Sequence, residues 1–216
     1  MSKVVMLCLA LGLFAASAAE ADPFVIAGDS VRLADGPGTV GGEFTVTVND
    51  AWSFISFCLQ RTEYIDFTNE FHVDAVTTYA FSDPAENGGD ALGRDYLSSE
   101  TAFLYTNFSN GTLAGYNYAG PDRDTSADQL QYAIWMFEQE LAMDATNPFV
   151  VLANSAVSGG TWSGIGNVRA LNLSKDGFEA QDQLAITAVP EPASMFLLGS
   201  GLVALAGRVR RKARKL

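Results

Sequence analysis

The chain has 216 residues and a net charge of −12, with six of its 13 basic residues in the last nine positions. Between residues 22 and 188 only six basic residues face 23 acidic ones, a net charge of −17 that repels phosphate backbones and excludes nucleic acid as a partner. An apolar content of 48% with 11% aromatic residues excludes a disordered chain.

Residues 1–21 read as a secretory signal. Lys3 supplies the positive start, an apolar run follows from Val4 to Ala16, and Ala16-Ser17-Ala18 or Ala19-Glu20-Ala21 offers the small-residue exit for signal peptidase. Residues 22–188 then form one domain, long enough to bury a core without staples. Loss of the signal removes Cys8 and leaves Cys58 as the sole cysteine. An internal disulfide is impossible, so Cys58 pairs with another chain, stays buried and inert, or is chemically engaged.

Phe44, Val46 and Val48 alternate with Thr45, Thr47 and Asn49, the period of a half-buried strand that Asp50 breaks. Residues 52–60 are apolar on both faces and predict a buried strand, with Cys58 on the face of Trp52 and Phe54. Further strands are expected at 71–81, 149–153 and 183–188. Residues 83–95 read as an acidic, glycine-rich loop. One helix is clear, at about 126–143. Ser126 is placed to cap it with Gln129 as reciprocal partner, and Asp124 and Asp128 suit its positive end. Leu130, Ile134, Phe137 and Leu141 make its apolar stripe. Gln131 falls in the second turn with Trp135 one turn below on the same side, and Asn147-Pro148 marks the exit. The fold class is mainly β with a few α-helices, in a single β-rich globular domain.

Metal and hydrolase chemistry find little support. His72 is the only histidine, so no Cys-His or multi-His zinc set exists. Asp83, Glu86, Asn87, Asp90 and Asp95 do not follow the spacing of an EF-hand and read as a solvated loop. No nucleophile-elbow pattern is present. Gly36-Pro37-Gly38 and Gly41-Gly42 are turn material. No cofactor, metal or catalytic residue is expected.

Residues 189–216 carry the strongest signal. Val189, Pro190, Glu191 and Pro192 come first, and the prolines hold that segment extended, as a processing enzyme requires. An apolar run of roughly 15 residues at 193–207 follows, about 22 Å long as a helix. Arg208, Arg210, Arg211, Lys212, Arg214 and Lys215 then hold the end in the cytoplasm. This tail resembles the PEP-CTERM sorting signal of Gram-negative bacteria. The resemblance implies processing by an exosortase, a membrane protease-transpeptidase. It also implies anchoring in the inner membrane through residues 193–207 beforehand, and a later place at the cell surface or in the extracellular matrix.

Two short segments carry the functional reading. Phe57-Cys58-Leu59 sets a cysteine between bulky apolar residues, and Gln131-Tyr132-Ala133-Ile134-Trp135 sets a glutamine above an apolar-Trp pair. Together, across roughly residues 40–140, they resemble the thioester domain of bacterial surface adhesins. That resemblance implies an internal thioester between Cys58 and Gln131, supported by Phe57, Leu59, Ile134 and Trp135. It implies a covalent adhesin, not an enzyme, that acylates an amine or hydroxyl on a partner. The chain departs from the family in bearing a Gram-negative sorting tail in place of a Gram-positive wall signal. Taken one by one, a lone buried cysteine is a small hydrophobe and a helical glutamine faces solvent. The alternative is therefore a passive matrix or polysaccharide-binding module.

Overall fold

The computed structural model describes residues 24–81 and 88–187. The expected signal at 1–21, the sorting tail at 189–216 with its apolar run at 193–207, and Asp83, Glu86 and Asn87 lie outside them.

The alternation predicted at 44–49 makes β2 (Phe44–Val48), with every second side chain buried. It follows β1 (Ser30–Asp35) as an antiparallel neighbour, so Val31 sits opposite Val48 and Leu33 opposite Val46. Asn49 and Asp50 both take positive φ, which their short polar side chains tolerate, and turn the chain into β3 (Trp52–Ser56). The run expected at 71–81 forms β4 (Glu70–Thr77) and β5 (Tyr79–Phe81), and β5 pairs with β6 (Arg94–Tyr96) as a separate ribbon. Three helices come next: α1 (Ser99–Ser109), α2 (Arg123–Phe137) and α3 (Pro148–Ser158). The described chain ends with β7 (Val168–Lys175) and β8 (Phe178–Ile186), which lengthens the strand expected at 183–188.

Six strands form one antiparallel sheet in the order β3-β2-β1-β4-β7-β8. The residues after β3 pair with β8, so the two edges of the sheet meet. Leu59 N donates to Asp182 O and Leu184 N to Phe57 O, both at 3.0 Å, and Cys58 lies opposite Gln183. This closure hides two edges that would otherwise present unpaired backbone groups. One apolar cluster fills the inner side of the sheet around Val46, Val48, Val73 and Leu171, and a second joins the helices to Phe57, Leu59, Val168 and Leu184.

Five expectations are corrected. The helix placed at about 126–143 runs from Arg123 to Phe137, and Gln139, at φ 64°, turns the chain away. It starts a turn early because Arg123 is held by the buried Glu43 carboxylate, with Nε 2.8 Å from Oε1. Ser126 is consequently inside the helix and not its cap; its Oγ accepts from the Asn117 backbone N–H and side-chain amide, both at 3.1 Å. Residues 149–153, expected as a strand, belong to α3. Asn147 accepts from Phe149 N at 2.9 Å and Val150 N at 3.2 Å, and Pro148 takes the first helical position, so Asn147-Pro148 is the entry to a helix and not the exit from one. Asp95, read as part of a solvated loop, is buried on β6.

Burial of carboxylates sets the pH response of this fold. Asp182, inside the sheet on β8, accepts from Leu173 N and Phe81 N at 2.9 Å and from Asn172 Nδ2 at 2.6 Å, yet loss of solvent still pushes its pKa up to about 7. Loss of solvent, with the charges of Glu138 and Glu140, pushes Asp95 up to about 7 as well. Between the ordinary value of 3.8 and about 7 the folded state therefore binds protons that the unfolded chain releases. The associated stability is complete below 3.8 and is lost as pH rises through 7. Thermal melts should give a higher Tm at pH 5 than at pH 8, and Asp182→Asn should flatten that slope.

Candidate functional site

The site grows from the strand alternation at residues 57–59. Phe57 and Leu59 point into the helical cluster, and Cys58 points the other way, into the sheet cluster shared with Val46, Val48 and Leu171. Its backbone lies where β3 has left β2 and joined β8. Phe57 and Leu59 make the bonds to β8, so the Cys58 N–H and C=O face the opposite side, where no strand follows.

Helix α2 covers that side. Leu130, Ala133 and Ile134 face the helical cluster, and Trp135 faces the sheet cluster with Cys58. Gln131 lies four residues before Trp135, in the third turn of the helix as it is observed, and is fully buried. Its side-chain amide takes the place of the missing strand. Cys58 N donates to Gln131 Oε1 at 3.1 Å, and Gln131 Nε2 donates to Cys58 O at 2.9 Å. The thiol donates to the same Oε1, with Sγ 3.4 Å away. Each polar group in the pair satisfies another that would otherwise be buried without a partner.

The loop from 36 to 42 lies over this pair. The Asp128 carboxylate, one turn before Gln131, accepts from Thr39 N at 2.6 Å, Thr39 Oγ1 at 2.8 Å and Val40 N at 3.2 Å. Gly41 sits at φ +98°, and a Cβ there would lie 3.2 Å from Cys58 Sγ and 3.4 Å from the Trp135 ring carbons Cζ2 and Cη2. Glycine is thus required both by the backbone and by the approach to the sulfur. Beside the loop opens a cavity of about 350 Å³, with Cys58, Gly41, Trp135, Phe44, Tyr64 and Arg61 in its wall. A neighbouring recess shares Val40, Arg61, Tyr64 and Trp135 and adds Tyr132.

Burial pushes the Cys58 thiol far above its ordinary range. Its own backbone N–H and the Trp135 indole N–H pull the other way, and the charge of Glu140 adds to the rise. The balance favours the neutral thiol. His72, exposed on β4, is outside the wall of this cavity. Asp90 forms an ion pair with Arg94 at 2.7 Å, and among the described residues no group of His, Cys, Asp or Glu is arranged to hold a metal.

The structure thus brings together Cys58, Gln131 and Trp135, with Phe57, Leu59 and Ile134 behind them in the helical core. Asp128 and Gly41 were not recognised from sequence as parts of the site. The glycines crowded before β2 were the available signal, since a turn alone does not need four of them between residues 36 and 42. Val189, Pro190, Glu191 and Pro192 lie outside the described residues.

Residues 188–212 match the PEP-CTERM protein-sorting motif, which marks an exported protein sorted to the cell surface and implies processing by an exosortase. The fold is similar to the N-terminal thioester domain of fibronectin-binding protein SfbI from Streptococcus pyogenes, at 12% identity and a TM-score of 0.48, over 76% of this chain and 95% of that one. No curated protein matches the chain in sequence. Among the described residues no helix is long and apolar enough to cross a membrane.

Because Gln131 completes the backbone of Cys58, an apolar replacement of similar length should be costly. Gln131→Met is expected to lower the unfolding free energy by at least about 2 kcal/mol, the scale of leaving a buried N–H and C=O unmet. Urea denaturation of the domain checks this value.

Proposed function

We propose that this chain is a covalent adhesin, in which Cys58 and Gln131 form an internal thioester that acylates a nucleophile on a partner surface. The observation that carries the reading is the contact of one fully buried thiol with one fully buried amide, Sγ to Oε1 3.4 Å, in a domain with no other cysteine after loss of the signal.

The chemistry follows from the contacts. The Cys58 sulfur attacks Gln131 Cδ, the C–S bond forms, and the thiol proton leaves on the departing nitrogen as ammonia. Charge that builds on Oε1 meets the Cys58 backbone N–H, already 3.1 Å away, as an oxyanion donor. The fixed strand and helix hold the reactants close, which supplies the intramolecular advantage that a free amide and thiol lack. The loop tied to Asp128 and the ring of Trp135 keep water from the thioester. An amine or hydroxyl arriving through the 350 Å³ cavity attacks Cδ, the C–S bond breaks, and an isopeptide or ester link to Gln131 remains. Cys58 ends as a thiol. Each chain reacts once, so the protein is consumed and is not an enzyme.

The export route fits such a role. In this reading signal peptidase removes residues 1–21 and the domain spans 22–188. Residues 193–207 hold it at the inner membrane until exosortase acts near Val189-Pro190-Glu191-Pro192.

A second reading, a passive polysaccharide-binding matrix module, draws on a separate groove of about 460 Å³ lined by Trp52, Phe54, Phe108, Tyr118 and Arg123. It needs no bond between Cys58 and Gln131. Methylamine separates the two. The covalent reading expects its incorporation at Gln131, located by peptide mass spectrometry and lost in Cys58→Ala. A domain that takes up no methylamine, with Cys58 open to alkylation only after unfolding, would leave the passive module standing.

A further inference from the structure

The indole N–H of Trp135 is unaccounted for. The side chain is 6% exposed, its Nε1 is fully buried, and among the described residues this N–H meets no acceptor in ordinary hydrogen-bond geometry. A buried donor left in that state costs about 1–3 kcal/mol. A phenylalanine would fill the apolar wall without that cost, so wall-building alone does not explain an indole here.

The six-membered ring of Trp135 and the Cys58 sulfur flank the same point beside Gly41. Trp135 Cζ2 and Cη2 both lie 3.4 Å from the point where a Gly41 Cβ would stand, and Cys58 Sγ lies 3.2 Å from that same point. Trp135 and Cys58 share one apolar cluster and one cavity wall. The N–H also favours the charged form of the sulfur, against the strong opposition of burial. The sulfur also meets Gln131 Oε1 at 3.4 Å and Gly41 O at 3.9 Å, both acceptors, which stabilise a thiol and repel a thiolate. A thiolate released here therefore has the Cys58 backbone N–H and the Trp135 indole N–H as donors, and the first of these is committed to Gln131 Oε1.

We propose that Trp135 is a catalytic residue of the acyl transfer, its indole N–H donating to the Cys58 sulfur as that sulfur departs. The inference rests on the thioester reading and assigns it a leaving-group donor. In the step concerned, an amine nitrogen bonds to Gln131 Cδ and the carbonyl oxygen takes negative charge against the Cys58 N–H. That charge then returns as the C–S bond breaks, and the electron pair of the bond passes to sulfur. The indole N–H meets that charge, and the proton shed by the attacking nitrogen reaches the sulfur to restore the thiol. The same donor acts in reverse when the thioester first forms. The two donors divide the labour: the backbone N–H serves oxygen and the indole N–H serves sulfur.

The test uses the mature domain and methylamine. Trp135→Phe keeps an aromatic wall and lacks the N–H. Site-specific insertion of 3-benzothienylalanine at position 135 replaces the N–H by sulfur and keeps the bicyclic shape, which covers the case in which Trp135→Phe folds poorly. Intact mass scores thioester formation, thermal melting scores folding, and the rate of methylamine uptake scores transfer. The expected result is a folded benzothienyl variant, lighter by one ammonia, that takes up methylamine at least about tenfold more slowly than wild type, as loss of a hydrogen bond to a charged group implies. A folded variant that never loses ammonia, beside a wild type that does, also supports the donor, because formation needs it too. A benzothienyl variant that forms the thioester and reacts at the wild-type rate overturns the inference and leaves the thioester reading intact. A wild-type domain that itself never loses ammonia removes both.

Discussion

A side-chain amide standing in for a β-strand is the interaction on which this molecule turns. The sheet closes by moving the chain from β2 to β8 at residues 57–59, and that switch leaves one buried residue with a backbone N–H and C=O facing away from any strand. The intact Gln131 amide, before any loss of ammonia, meets both, and the helix that carries it is thereby fixed against the closure point. Burying a glutamine is unfavourable unless its amide is satisfied, and burying an open strand edge is unfavourable unless its backbone is satisfied. Each problem solves the other. The consequence for chemistry is that the sulfur of the residue at the switch lies against the amide, without any further device to bring them together.

Two cores meet at that point. The period of two along Phe57, Cys58 and Leu59 sends the outer pair into the helices and the cysteine into the sheet. The period of the helix does the same for Ile134 and Trp135. The thiol and the amide therefore sit on the seam between two apolar clusters, buried from both sides. A loop with four glycines, pinned by Asp128, covers the pair beside the cavity that Cys58 lines. The glycine at position 41 is forced twice, by a positive φ and by a sulfur at contact distance from the site of its absent Cβ.

Much of this was legible in the chain. The strict alternation of β2 followed from local pattern, and the spacing of Gln131 and Trp135 put them on one side of a helix; the run expected as one buried strand at 52–60 instead ends as β3 at Ser56, and Leu141 of the expected stripe lies past the end of α2 at Phe137. The failures have physical causes. A four-residue apolar run such as Phe149 to Leu152 carries no period long enough to tell strand from helix, and only the Asn147 cap decides it. Ser126 looked like a cap because the ion pair between Glu43 and Arg123, distant in sequence, was invisible. Burial of Gln131 was unreadable because it depends on a vacancy in a sheet edge more than seventy residues away. Asp128 looked like a charge for the helix dipole, and its partners on the 36–42 loop appear only when the chain is folded.

Burial and the nearby Glu140 carboxylate push the sulfur in one direction. Burial favours the protonated thiol of Cys58 and keeps it out of solvent. The most direct measurement is the intact mass of the freshly purified mature domain, taken beside native-state alkylation of Cys58. A mass one ammonia below that of the sequence, with Cys58 protected from alkylation until the protein is treated with a strong nucleophile, is the predicted result. The full sequence mass, with a Cys58 that alkylates as soon as the fold opens and no sooner, would contradict the account.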